Sequence, residues 1–108
     1  MKKKTPWGDV EIFDAHTHFF SHRFFQLLAG QVPALQNSAD PVARIGELTG
    51  FVMPPADPAE FAAIWRAEFD RHQIAAAMIM ASLPGDEESI AAAVAANPSR
   101  IFGAFMFD

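Results

Sequence analysis

The sequence IAAAMIMA at residues 74–81 decides the fold, because it is an uninterrupted apolar run. Its length is typical of a strand that is buried on both faces, as the strands of a parallel sheet are. The alanines at 75–77 weaken this prediction, since alanine prefers helix. Two further apolar segments, residues 10–18 and 101–107, are predicted to be strands that flank it in the chain.

Helical patterns with recognisable start signals separate the predicted strands. Ser21, Asp40 and Asp57 are good N-cap residues, and a proline follows both aspartates at the first helical position. The acidic run 86–88 is predicted to begin another helix, as a cap and solvated face, and Asn97 to end it. The order strand, helices, strand, helix, strand predicts an α/β fold of parallel strands joined by right-handed crossovers.

Length, composition and charge limit the classes of protein to which the chain can belong. The chain has 108 residues, which allows one ordinary domain, and 51% of its residues are hydrophobic. It has no cysteine, which excludes disulfide frameworks and thiolate metal sites. The formal charge of −5 argues against a nucleic-acid partner, since such a partner needs a basic face. No membrane-spanning segment and no signal peptide are predicted, and a cytoplasmic location is the expectation.

The chain, residues 1–108, is predicted to be a single partial domain, with residues 1–9 as a polar lead-in. Its 11 phenylalanines and 2 tryptophans carry more apolar surface than a domain of this size can bury by itself. Three parallel strands also leave two apolar edges without a partner. We therefore expect the first part of a larger α/β domain, and we expect the isolated chain to self-associate.

The histidine pair of the first predicted strand is the candidate metal site. Residues two apart in a strand point to the same face, so His16 and His18 present two imidazoles side by side, and Asp14 shares their parity. Imidazoles at this spacing can bind one divalent transition metal. The pair lies at the carboxyl end of the strand, where ligands collect in parallel α/β folds. Asp14 is predicted to orient a ligand imidazole through a hydrogen bond.

Other side chains are weaker candidates. His22 is predicted either to line a substrate pocket or to lie on the surface at the start of a helix. His72 is predicted to be a satisfied interfacial histidine, and Arg44 to lie on a solvated helix face rather than to bind an anionic substrate. The phenylalanine pairs at 19–20 and 24–25 fit a pocket wall and ordinary core packing equally well.

The segment FDAHTH at residues 13–18 resembles the first metal-binding strand of the amidohydrolase superfamily. More narrowly, the chain resembles the amidohydrolase-related branch that includes the aminocarboxymuconate-semialdehyde decarboxylase type. AMIMASLPG at residues 77–85 is similar to the second strand and following loop of this branch. NPSRIFG at residues 97–103 is similar to its lead into the third strand. The resemblance covers most of residues 10–108.

This resemblance implies the amino-terminal portion of a (β/α)₈ TIM barrel, with its first three strands and a divalent metal, usually zinc. His16 and His18 match the first two metal ligands. A metal-activated water or a metal-polarised carbonyl would serve hydrolysis or non-oxidative decarboxylation of a small organic carboxylate, amide, ester or lactone. The later histidines and aspartate of the family have no counterpart here. No catalytic residue is therefore predicted within this chain, which is expected to be inactive alone.

Two other functions stay open on the sequence. One is a free-standing α/β binding module whose histidine pair is a weak metal site or none. The other is an HxH-type nuclease or phosphoesterase, because the first motif also fits the TatD-type nucleases. Activity on DNA or phosphate esters would favour the nuclease. Whether the parent protein forms a homo-oligomer is also left open.

Overall fold

The computed structural model describes residues 1–106 and shows an α/β fold. A two-stranded antiparallel hairpin precedes a three-stranded parallel sheet, as the sequence predicts for the latter. The strands are β1 (Lys3–Thr5), β2 (Gly8–Val10), β3 (Phe13–His18), β4 (Ala76–Met80) and β5 (Ile101–Ala104). The helices are α1 (His22–Gly30), a short 3₁₀ helix (Pro33–Leu35), α2 (Pro41–Thr49), α3 (Pro58–His72) and α4 (Glu87–Ala96).

The parallel sheet has one face covered by helices. Its strand order is β3-β4-β5, so strands that follow each other in the chain are neighbours in the sheet. Helices α3 and α4 pack together against the same face, where alternate strand residues such as Ala77, Ile79 and Ile101 are fully buried. Phe19, which follows β3, completes this core against Phe61 and Trp65 of α3.

The opposite face of the sheet is uncovered in the part of the chain that the structure describes, and we call it the open face. Phe13 and Phe102 lie there 50% and 42% exposed, with ring centres 5.6 Å apart. Strand pairing places these two rings and the methionines of β4 on one side, because residues directly opposite in a sheet share a face. The open face consists of Phe13, His16, His18, Ala76, Met78, Met80, Phe102 and Ala104.

The residues predicted to be a polar lead-in form the hairpin instead. Strands β1 and β2 pair antiparallel, with Thr5 opposite Gly8. The Thr5 hydroxyl donates to the Gly8 carbonyl at 2.7 Å, and Gly8 has φ 115°, which favours glycine. A tight turn rather than an apolar pattern produces this element, and the sequence analysis, which described residues 1–9 only as a polar lead-in, did not predict it. Val10 belongs to the hairpin, and the first parallel strand begins at Phe13.

The predicted helix starts are confirmed. Ser21, Asp40 and Asp57 each accept a backbone N–H of the first turn, at 2.9, 3.1 and 2.9 Å. Helix α2 ends at Thr49 and is capped by Gly50, whose φ of 74° is left-handed. These starts are local, since each depends on a side chain and a backbone N–H two or three residues apart.

Helices α1 and α2 form a second, smaller cluster outside the sheet. Ala29, Leu35 and Ile45 are buried there, and Phe25 and Met53 pack against them. The predicted strand 101–107 is shorter than expected and ends at Ala104, while its residue 107 lies outside the described residues. Within residues 1–106, no helix combines the length and apolarity needed to cross a membrane.

Candidate metal centre

The two histidines of β3 lie side by side on the open face. Their ring centres are 5.2 Å apart and the ring planes meet at 74°. Both side chains are exposed, at the carboxyl end of the strand. Two imidazoles on one tetrahedral zinc place their ring centres about 5 Å apart, given Zn–N bonds of about 2.0–2.1 Å. The ring separation of His16 and His18 therefore matches that of two imidazole ligands on one zinc ion.

Two neighbours hold the ring of His18. Its Nδ1 lies 2.9 Å from Oγ of Ser82, in the loop that follows β4. The ring of Phe20 stacks on it, with centres 5.5 Å apart and planes within 17°. The sequence offered Phe20 as part of a pocket wall, whereas Ser82 was not predicted to belong to the site. The signal for Ser82 is its place just after β4, because the carboxyl ends of adjacent parallel strands meet at one edge.

Asp14 does not share a face with the histidines, so the predicted parity is wrong. The register of β3 against β4 shifts between Asp14 and Thr17, which is a β-bulge. Asp14 lies opposite Ala77 and Thr17 opposite Ile79, on the face covered by helices. The Asp14 carboxylate accepts the backbone N–H of His16 at 3.1 Å. Asp14 thus shapes the strand, and this contact does not orient an imidazole.

His22 and Asp14 do not complete a metal site with the histidine pair. His22 is the first residue of α1 and is half-buried. Nowhere in residues 1–106 do three histidine, aspartate or glutamate side chains come together as metal ligands. Within residues 1–106, His16 and His18 therefore have no third side chain of these types grouped with them.

An aromatic wall stands beside the pair. Phe20 stacks on Phe24 with ring centres 4.5 Å apart, and Phe24 meets Phe25 edge-on at 5.1 Å. Phe20 is 42% exposed, whereas Phe19 is fully buried in the core. The phenylalanine pairs are thus divided between the two predicted roles: Phe19 packs the core, and Phe20 borders the candidate site.

The acidic run 86–88 departs from its predicted solvated role at its first residue. Asp86 is fully buried, and its Oδ1 accepts the Ser21 hydroxyl at 2.6 Å. In the described residues, its Oδ2 has no hydrogen-bond partner and its side chain does not cap α4. The contact instead fastens the loop after β3 to the loop after β4, at the edge of the sheet that carries the candidate site.

His72 and Arg44 lie on exposed helix surfaces. Arg44 bonds Glu47 at 3.0 Å, which agrees with its predicted solvated face. The prediction of an interfacial histidine is wrong for His72, whose side chain is 55% exposed and lies 3.4 Å from Glu68.

The pKa of Glu68 is below the usual glutamate range, chiefly because Arg71 donates hydrogen bonds to it, with His72 adding a smaller effect. Glu68 and His72 border a groove of about 310 Å³ between α3 and β3, on the helix-covered side of the sheet.

Comparison with protein-family models, with curated proteins and with solved structures finds no match to this chain. The geometry of the site is therefore the basis for assigning a function.

Proposed function

We propose that His16 and His18 are the first two ligands of a divalent-metal centre, with zinc as the metal. The parent enzyme would hydrolyse, or decarboxylate without oxidation, a small organic carboxylate, amide, ester or lactone. The observation that carries this proposal is the 5.2 Å separation of two exposed imidazoles on one face, at the carboxyl end of a parallel strand. That edge is where active sites of parallel α/β folds are built.

The arrangement of the sheet supports a barrel as the setting. In a (β/α)₈ barrel, the strands follow each other in order and the helices lie outside, leaving the inner face to side chains. The order β3-β4-β5 with α3 and α4 on one face is compatible with such a wall. In this proposal the open face would line the barrel interior, which needs about 250 residues in all.

Each residue of the site has a defined part in the proposal. His16 and His18 hold the metal through neutral imidazole nitrogens. Phe20 and Phe24 give the site an apolar border that limits water on one side. When bound, the metal supplies Lewis acidity toward a water or a substrate carbonyl. Catalytic zinc sites use three protein ligands, so at least one more ligand is assigned to a segment beyond these residues.

Isothermal titration calorimetry of zinc binding to the 108-residue chain tests this proposal. We expect the wild-type chain to bind one zinc ion and the double variant His16→Ala/His18→Ala to lose this binding, because both imidazole ligands are removed. The matched control is His72→Ala, which removes an exposed histidine from α3 and should leave zinc binding unchanged.

Equal zinc affinity in the wild-type chain and the double variant would contradict the proposal. An equal loss in the His72→Ala control would do the same, because it would show nonspecific histidine binding. Either result would favour the free-standing binding module over the enzyme.

A further inference from the structure

We propose that Ser82 is a positioning residue that selects the tautomer of His18. The inference rests on the proposed function and adds a residue to the same site. Ser82 Oγ and His18 Nδ1 are 2.9 Å apart; His18 ends β3, and Ser82 lies in the loop just after the adjacent parallel strand β4. When Nδ1 carries the proton and donates a hydrogen bond to Ser82 Oγ, Nε2 keeps its lone pair and becomes the ligand atom.

The loop that carries Ser82 is anchored well enough to fix this contact. Ala81 is buried, and its backbone N–H donates to the Ala104 carbonyl at 3.0 Å on β5. His18 lies opposite Met80 in the register, so Ser82 follows the partner of His18 by two residues. The serine hydroxyl is thus delivered by rigid sheet geometry rather than by a long flexible side chain.

The ring of His18 is restrained from a second direction. Phe20 stacks on its face at 5.5 Å, and Phe20 itself stacks on Phe24 of α1. Turning the ring out of its plane would break both the stacking and the contact to Ser82, and a half-turn flip that returns the ring to the same plane would break the contact to Ser82. In the described part of the chain, the His16 ring has no hydrogen bond of this kind, and its aromatic contact is with the His18 ring. His18 is therefore the pre-organised ligand of the pair, and His16 is the adjustable one.

The 2.9 Å contact between Ser82 Oγ and His18 Nδ1 is also compatible with the reverse hydrogen bond, in which the serine is the donor. If the Ser82 hydroxyl donates to Nδ1, the proton of the neutral ring sits on Nε2 and blocks that nitrogen as a ligand. That arrangement is the hydrogen bond of a serine and its base. The position of one proton thus separates a metal-ligand role from a serine–histidine pair.

The tautomer can be read directly in the metal-free chain by long-range ¹H–¹⁵N correlation of the histidine rings, at mildly alkaline pH where imidazoles are neutral. We expect His18 to carry its proton on Nδ1 in the wild-type chain. In Ser82→Ala the ring should move toward the Nε2–H form that free imidazole side chains favour. Ser82→Thr, which keeps the hydroxyl, should retain the wild-type tautomer, and Ser99→Ala is the control at the opposite edge of the sheet.

Zinc affinity gives the second readout. Loss of an outer hydrogen bond to a ligand histidine typically costs 10–100-fold in metal affinity. We expect Ser82→Ala to bind zinc about 10-fold more weakly than wild type, and Ser82→Thr to bind as wild type does. Should Ser82→Ala fail to fold, the pair Ser82→Thr and Ser82→Val, which have the same shape, replaces it.

The two readouts separate the inference from the proposed function. An Nε2–H tautomer in the wild-type chain overturns the inference, as does measurable zinc binding that is equally tight in wild type and Ser82→Ala. If wild type holds the Nδ1–H form, Ser82→Ala releases it, and neither binds zinc, the positioning by Ser82 stands and the metal function fails.

Discussion

At the scale of single residues, the hydroxyl of Ser21 makes two contacts that belong to different elements. It accepts the backbone N–H of Phe24 at 2.9 Å, which caps α1, and it donates to the buried Asp86 carboxyl at 2.6 Å. The first contact is local and predictable from the chain. The second joins residues 65 positions apart, so it became visible only with the fold.

Replacing this hydroxyl should cost more than an ordinary helix cap. We expect Ser21→Ala to lower the free energy of unfolding by about 2–4 kcal/mol. Of this, about 1 kcal/mol is the lost cap, and about 1–3 kcal/mol is the buried carboxyl left without a donor. Urea unfolding followed by circular dichroism measures the difference.

Asp57→Ala is the matched control, because Asp57 is an exposed cap with a 2.9 Å bond to the Ala59 N–H. It should lose only about 1 kcal/mol. Equal losses in Ser21→Ala and Asp57→Ala would show that the bond to Asp86 adds no stability.

Arg100 shows why some residues could not be assigned from the sequence. Its guanidinium donates to the carbonyls of Ile74 and Ala75 at 2.8 and 3.1 Å and to Asp70 at 2.6 Å. It also lies 5.6 Å from the centre of the Phe69 ring. These partners all surround the turn from α3 into β4, far from Arg100 in the chain. The sequence shows the arginine, but it does not show which backbone carbonyls accept its hydrogen bonds.

At the scale of elements, β5 approaches α4 so closely that Gly103 has no room for a side chain. A Cβ at this position would lie 2.8 Å from Cγ2 of Ile90 and 3.1 Å from Cγ2 of Val94. Both neighbours are β-branched helix residues with few alternative rotamers. The sequence shows this glycine only as an interruption of an apolar strand, whereas the structure shows a packing requirement.

Substitution of this glycine therefore tests the helix–strand contact. We expect Gly103→Ala to lower the free energy of unfolding by about 1–3 kcal/mol, the usual cost of overpacking. Gly30→Ala is the control, because a Cβ at Gly30 meets nothing within 4 Å and alanine favours helix. Thermal unfolding of the two variants should give opposite shifts, and a stable Gly103→Ala chain would contradict the close packing.

Elements with local signals were predictable, and those that depend on pairing were not. The caps of α1, α2 and α3 and the apolar run of β4 follow from neighbouring residues. The hairpin of β1 and β2 depends on the turn at Gly8, since its short strands lack an apolar pattern. The bulge in β3 exists only relative to β4, so the alternation of residues within β3 could not predict the face of Asp14.

At the scale of the whole molecule, the open face is an exposed apolar surface of the sheet. Phe13 and Phe102 expose their rings there, next to the histidine pair. Apolar surface of this kind favours association between copies when nothing else covers it. The sequence predicted excess apolar area for a small chain, and the structure locates part of it on one side of the sheet.

We expect the 108-residue chain to associate with increasing concentration. In Phe13→Ser/Phe102→Ser, sedimentation velocity should move toward an 11.8 kDa monomer, because the variant removes two rings from the open face. Val52→Ser is the control, since Val52 is 97% exposed in a loop outside the sheet. A wild-type chain that stays monomeric at all concentrations would contradict this expectation.

The bulge in β3 determines how each of the two strands β3 and β4 would respond to the deletion of one residue. Between Asp14 and Thr17, two residues of β3 stand opposite the single residue Met78 of β4, so the strand is one residue longer than its pairing requires. Deletion of Ala15 would remove that surplus and leave the remaining side chains of β3 on the faces they now occupy. Deletion of Met78, in a strand without surplus, would turn every later residue of β4 to the other face. The strand that carries the histidines thus tolerates a change of length that its neighbour does not.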